Sequence, residues 1–184
     1  IFLLNALTGN INRDGGMWAI PDADYIQWPE VATDEIASAG LLQSRIDGAG
    51  AGKYAHARYL LNRLSEGVNG SGPYPLQVLM VAGANPCHDL SDSTGFTKAL
   101  DNIPFIVSFS SFQDETAAMA DLLLPDHVYL ERYEDVPVGA GLPQQVIGLS
   151  KPVVSPQFNT RHLGETLITT AKAIKRRVKV DEAI

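Results

Sequence analysis

The sequence predicts an α/β domain of three layers built on a mainly parallel sheet. Three apolar runs, at 76–82, 104–109 and 121–124, read as short strands, and stretches with helix-start signals separate them. Strand, helix, strand, helix, strand implies right-handed crossovers and a parallel sheet. Each run ends in a polar turn: Gly83-Ala84-Asn85-Pro86, then Ser108-Phe109-Ser110-Ser111, then Leu124-Pro125. Ligands bind just beyond the carboxyl ends of parallel strands, so these turns are the first place to look for function.

The elements follow in chain order. Residues 1–7 read as the last turns of an apolar helix, stopped by Gly9 and the Asn10, Asp14, Gly15, Gly16 turn. A chain that opens inside a helix has the look of a piece of something larger. Residues 17–52 are rich in Pro, Asp, Gly and aromatics and read as a surface excursion anchored by Trp18, Tyr25 and Trp28, with a weak helical run near 30–42. Residues 53–67 place Ala57, Leu60, Leu61 and Leu64 at helical spacing and predict one continuous helix. Asn69-Gly70-Ser71-Gly72-Pro73 then breaks the chain before the first strand, whose near-continuous apolar character suits burial on both faces.

Ser93 is a candidate N-cap for a helix at 94–100, and Asp114 for a short helix through 119, with Glu115 in its first turn where the helix dipole favours a carboxylate. Beyond Pro125 the pattern is less regular until 160, where Leu163, Leu167, Ile168, Ala171 and Ile174 line one face of a closing helix expected to cover the sheet. The whole chain, 1–184, is read as one domain.

Composition narrows the function classes. The 184 residues are 45% hydrophobic, enough for one substantial core. A net charge of -7 argues against nucleic acid, since phosphate binding calls for a basic face. The basic run of Lys175, Arg176, Arg177 and Lys179 reads as the cationic end of the last helix. No apolar run has the ~20 residues that cross a bilayer, so direct membrane insertion is not expected. The single Cys87 cannot build a disulfide, an iron–sulfur site or a thiolate zinc cage within the chain, and it leaves the compartment open. His56, His88, His127 and His162 are dispersed without ligand spacing, so no metal-ligating residue is assigned. No catalytic residue is assigned either: Ser110, Asp126 and His127 lack a Gly-x-Ser-x-Gly elbow, and Glu131 with Glu134 reads as surface charge. No phosphate loop of the form Gly-x-x-x-x-Gly-Lys-Ser is present, which removes that class of nucleotide-binding protein.

Three segments, in order and at matching spacing, resemble the molybdopterin oxidoreductases of the dimethyl-sulfoxide-reductase type. They are Leu7-Thr8-Gly9-Asn10-Ile11-Asn12-Arg13-Asp14-Gly15-Gly16, then Gly83-Ala84-Asn85-Pro86, then Asp114-Glu115-Thr116-Ala117 running through Ala120-Asp121 to Leu124-Pro125. The resemblance implies a Rossmann-like domain of a larger subunit, one of two that clasp a bis(molybdopterin guanine dinucleotide) cofactor. Carried over residue by residue, Gly83, Asn85 and Pro86 approach the dinucleotide, Ser108 and Ser110 end the adjacent strand facing guanine, and Thr116 and Asp121 belong to the signature. Gly83 allows close backbone approach to a phosphate, and amides at the following helix start would donate to it. Gly-Ala-Asn-Pro is equally an ordinary turn by composition, and Asp121 equally a backbone-bonding aspartate at a strand start. Where many members carry an acidic pair at the second strand end, this chain has Phe109 and Ser110.

Residues 126–137 and 147–164 look closer to the molybdopterin-binding-like subunits of menaquinone-reducing complexes than to true reductases. Two classes of function are therefore expected. In one, the chain supplies half of a dinucleotide grip in an electron-transfer enzyme. In the other, it is a cofactor-less assembly module, with iron–sulfur and membrane quinone-reactive subunits as partners besides the remaining domains of its parent. A periplasmic or membrane-attached position, through those partners, goes with either. The isolated chain is expected to hold no cofactor.

Overall fold

The structure is a computed structural model in which residues 2–19, 30, 33–91, 94–137 and 146–174 are described. Tyr25, Trp28, Ser93 and the 175–179 basic run lie outside the described residues. By contacts the chain divides into two units, one drawn from Ile1–Val31 and Tyr129–Ser155 and one from Ala32–Val128 and Pro156–Ile184.

The second unit holds a parallel sheet flanked by helices, in which strands β1 (Val78–Val81), β2 (Phe105–Ser108) and β3 (Leu122–Leu123) are ordered β1-β2-β3. All pairs are parallel, with Val78 opposite Phe105, Val81 opposite Ser108, and Ser108 opposite Leu123. The parallel α/β expectation is therefore met. Paired residues share a face of the pleat, so Leu79 and Ile106 point together into a core of Phe96, Leu100, Ile103 and Ile106. Val78, Met80 and Phe105, on the other face, stay exposed.

The helices of this unit are short: α2 (Glu35–Leu41), α3 (Leu64–Glu66), α4 (Pro86–Asp89), α5 (Phe96–Leu100), α6 (Glu115–Ala118) and α7 (Leu163–Ala173). The start of α2 is fixed by Asp34, whose carboxylate accepts from Ala37 N at 2.8 Å. Helix α5 begins after Gly95 and buries Phe96, Ala99 and Leu100.

The continuous helix expected over 53–67 does not form. Tight 3-10 turns at Gly52–Tyr54 and Leu61–Arg63 stand there, followed by α3 and a π-turn at Gly67–Ser71. Asp47 explains the break. Its buried carboxylate accepts from Leu60 N at 2.8 Å, from Ala49 N at 3.1 Å and from the Arg45 guanidinium through two contacts of 2.9 Å. That capture takes the Leu60 N–H out of any helical ladder, and Leu60 sits at φ -134, ψ 68. A long-range polar contact overrides local periodicity.

Helix α7 forms near the place expected, but it buries no residue fully, and Leu167 and Ile174 remain 44% and 65% exposed. The turn before it is tied to the sheet edge: Leu163 N donates to Asp126 Oδ1 at 3.0 Å and Arg161 N to Pro125 O at 3.0 Å. Among the described residues no helix is long and apolar enough to cross a membrane.

In the first unit, helix α1 (Phe2–Leu7) closes in a Schellman motif, with Asn10 N bonding Asn5 O at 2.9 Å and Gly9 N bonding Ala6 O at 3.2 Å. The chain then folds back through Met17 N to Asn10 O, 2.8 Å. Gly16 is pressed against that fold: a Cβ there would stand 2.2 Å from Asn10 O, closer than any side chain tolerates. The Thr-Gly-Asn…Gly-Gly stretch is thus a helix stop followed by a reversal. Two strands that the sequence pattern did not reveal, β4 (Glu134–Pro137) and β5 (Ile147–Ser150), pair antiparallel in the same unit. Glu134, Asp135 and Pro137 hide β4, because acids and proline are depleted in strands.

Candidate functional site at the carboxyl edge of the parallel sheet

Parallel pairing brings the three polar turns to one edge. Past the named strands the ladder continues, with Phe109 N donating to Val81 O at 2.9 Å and Leu124 N to Ser108 O at 2.9 Å. Asp126 N reaches Phe109 O at 3.3 Å. The chain therefore leaves all three strands side by side.

After β1, Gly83 takes φ +62 in open space, with nothing within 4 Å of where a Cβ would sit. Ala82, Gly83 and Ala84 are exposed. Pro86 opens α4 at a position where its missing N–H costs nothing. The amides of α4 are taken internally: Cys87 N donates to Thr116 Oγ1 at 3.1 Å, and His88 N and Asp89 N donate to Asn85 O at 3.0 and 2.9 Å. The expectation that this helix start offers donors to a phosphate therefore fails. The N–H groups of Gly83, Ala84 and Asn85, one step earlier, enter no hydrogen bond among the described residues.

Asn85 faces α6. Its Oδ1 accepts from Thr116 Oγ1 at 2.7 Å and from Thr116 N at 3.2 Å, and its Nδ2 donates to Glu115 Oε2 at 2.6 Å. Thr116 is fully buried. The Asn85 hydrogen bond, foremost, holds the exposed Glu115 carboxyl below its ordinary value, and His88, 3.9 Å away, adds to this. Two of the matching sequence segments, Gly-x-Asn-Pro and Glu-Thr-Ala, meet here in space.

After β2 a second polar group forms. Ser108 is 1% exposed, and its Oγ accepts from Ser110 N at 3.3 Å, so its side chain belongs to the interior. Ser110 Oγ donates to Asp114 Oδ2 at 2.7 Å and accepts from Phe112 N at 3.2 Å. Asp114 caps α6 as expected, its Oδ1 accepting from Ala117 N at 2.8 Å. A carboxylate thus stands beside Ser110 although the strand end itself carries none. Chain order conceals this, because Asp114 is four residues on and is legible only as a cap.

Asp121 lies apart from these groups. It precedes β3, and its carboxylate accepts from Ile106 N at 2.8 Å, the backbone-bonding alternative open from sequence. Asp126, by contrast, bonds His127 N at 2.9 Å as well as Leu163 N, and no local signal in the sequence announces that role. Among the described residues no group of three or more His, Cys, Asp or Glu could hold a metal ion.

Residues 1–166 match the molybdopterin oxidoreductase family. The chain belongs to that family. It is 32% identical over 165 residues to the menaquinone reductase molybdopterin-binding-like subunit of Nitratidesulfovibrio vulgaris, covering 90% of this chain and 21% of that protein. It is 30% identical over 168 residues to the thiosulfate reductase molybdopterin-containing subunit PhsA of Salmonella typhimurium, covering 85% of this chain and 22% of that one. The chain thus spans about a fifth of the length of these relatives. In fold it resembles acetylene hydratase from Pelobacter acetylenicus, with a TM-score of 0.53 and 22% identity over 72% of this chain and 19% of that one.

Proposed function

We propose that this chain supplies one wall of the binding site for a molybdopterin guanine dinucleotide in an electron-transfer oxidoreductase. The observation that carries the proposal is the convergence of three turns at one sheet edge, with backbone donors at Gly83, Ala84 and Asn85 left for a ligand. The residues present fit such a group. The 83–85 amides would meet phosphate oxygens, aided by the left-handed Gly83. Asp114, steered by Ser110, would accept from the donor edge of guanine, where a charged acceptor is worth about twice a neutral one. The bound cofactor would bring two-electron redox chemistry. This chain's part is to bind and orient the nucleotide end, and it contributes no catalytic residue.

The remaining domains of a longer parent are the first partners in this reading, supported by the fifth-length match and by the exposed apolar face of Val78, Met80 and Phe105. Iron–sulfur and quinone-reactive subunits are the further partners in this reading, and likeness to a menaquinone reductase subunit supports the quinone-reactive one.

A second reading, an assembly module without cofactor, is favoured by one specific observation. Asn85, Thr116, Ser108 and Ser110 spend their side chains on one another and on α6. Metal and nucleotide analysis of the intact protein separates the two. Molybdenum and released guanine nucleotide near one equivalent or more are expected for the wall of a cofactor site. Absence of both, with normal assembly into its complex, supports the module.

A further inference from the structure

We infer that Thr116 is a positioning residue that locks the two ligand-facing turns together through Asn85, so that neither turn keeps its shape without the other. The inference rests on the proposed nucleotide site and assigns the work of its side chains. Thr116 Oγ1 donates to Asn85 Oδ1 at 2.7 Å and accepts from Cys87 N at 3.1 Å. One buried hydroxyl therefore fixes both the last side chain of the β1 turn and the first free amide of α4. Asn85 answers with three contacts to α6, two through Oδ1 and one through Nδ2 to Glu115.

These pairs also set which way the Asn85 amide faces. Thr116 N–H can only donate, so Oδ1 must face it, and the Glu115 carboxylate can only accept, so Nδ2 must face that. With its oxygen and its amide nitrogen both engaged, Asn85 serves by holding the backbone of Gly83 and Ala84 open to a ligand. The signature residues then act through main-chain donors, their own side-chain groups being engaged within the protein.

Amide hydrogen exchange of the intact protein tests the lock without any ligand. Thr116→Val keeps the shape and removes the hydroxyl; exchange should quicken about tenfold or more in both 82–91 and 112–120, while 96–109 keeps its protection. Thr116→Ser should restore wild-type rates in both. Asn85→Ala, at a less buried position, is the second variant in case Thr116→Val fails to fold, and should quicken 112–120 by a similar factor. Faster exchange confined to the mutated turn in either variant overturns the lock. The site reading is tested separately with guanosine diphosphate as the probe: affinity should fall about tenfold in Thr116→Val and return in Thr116→Ser. No binding by the wild type would defeat the site reading and leave the exchange result standing, whereas unchanged affinity in Thr116→Val beside a binding wild type overturns the positioning role.

Discussion

At the scale of single residues, buried carboxylates direct the backbone. Asp47 shows this most plainly, because it holds Leu60 N, Ala49 N and Arg45 at once while 4% exposed. The Arg45 hydrogen bond, foremost, holds its carboxyl well below the ordinary range, against the opposing effect of burial. A lowered folded pKa means that the contribution to stability is full above the unfolded value of about 4 and is lost as pH falls through the folded value. Asp47→Asn should flatten the loss of stability with acid below about pH 4, read as urea midpoints at pH 7 and pH 3. Asp47→Ala should cost about 3 kcal/mol at pH 7, since two backbone donors lose a charged acceptor. An unchanged midpoint at pH 7 would show that the 52–63 turns hold without it. Of this the sequence shows an Arg-x-Asp triplet and nothing of Leu60, thirteen residues away.

At the scale of elements, legibility follows how local the cause is. Strands β1 and β2 were readable because consecutive apolar residues have few other uses, and α6 because Asp114 caps it from the adjoining position. The broken 52–71 segment and the β4–β5 pair were not, because distant partners decide them. Asp114→Ala should cost about 1 kcal/mol through the lost cap, and it should also loosen Ser110, visible as faster exchange at 108–112; Asp114→Asn should recover most of the stability. Ile106→Ala, at a position 3% exposed in the cluster with Phe96, Leu100 and Ile103, should cost roughly 3 kcal/mol in a chemical-denaturation measurement. A cost below 1 kcal/mol would mean that the cluster refills the space, contrary to a close-packed core.

At the scale of the whole molecule, the candidate site was legible as a place and less so as a list. Sequence placed Gly83, Asn85 and Pro86 in one turn and Ser110 in another, and parallel pairing puts both at one sheet edge. It could not tell that Ser108 points inward, which backbone group Asp121 would bond, or that Asp114 stands beside Ser110. Each depends on which side of a strand a residue takes, or on which turn reaches which, and both are settled only by assembly. The edge formed by the turns after β1 and β2 is the proposed seat of a guanine nucleotide. Photolabelling of the protein, freed of bound small molecules, with azido-guanosine diphosphate and peptide mapping tests it most directly. Label within 82–90 and 108–116, displaced by excess guanosine diphosphate, is the predicted result; label that resists displacement, or that falls on other segments while these stay clean, would contradict it.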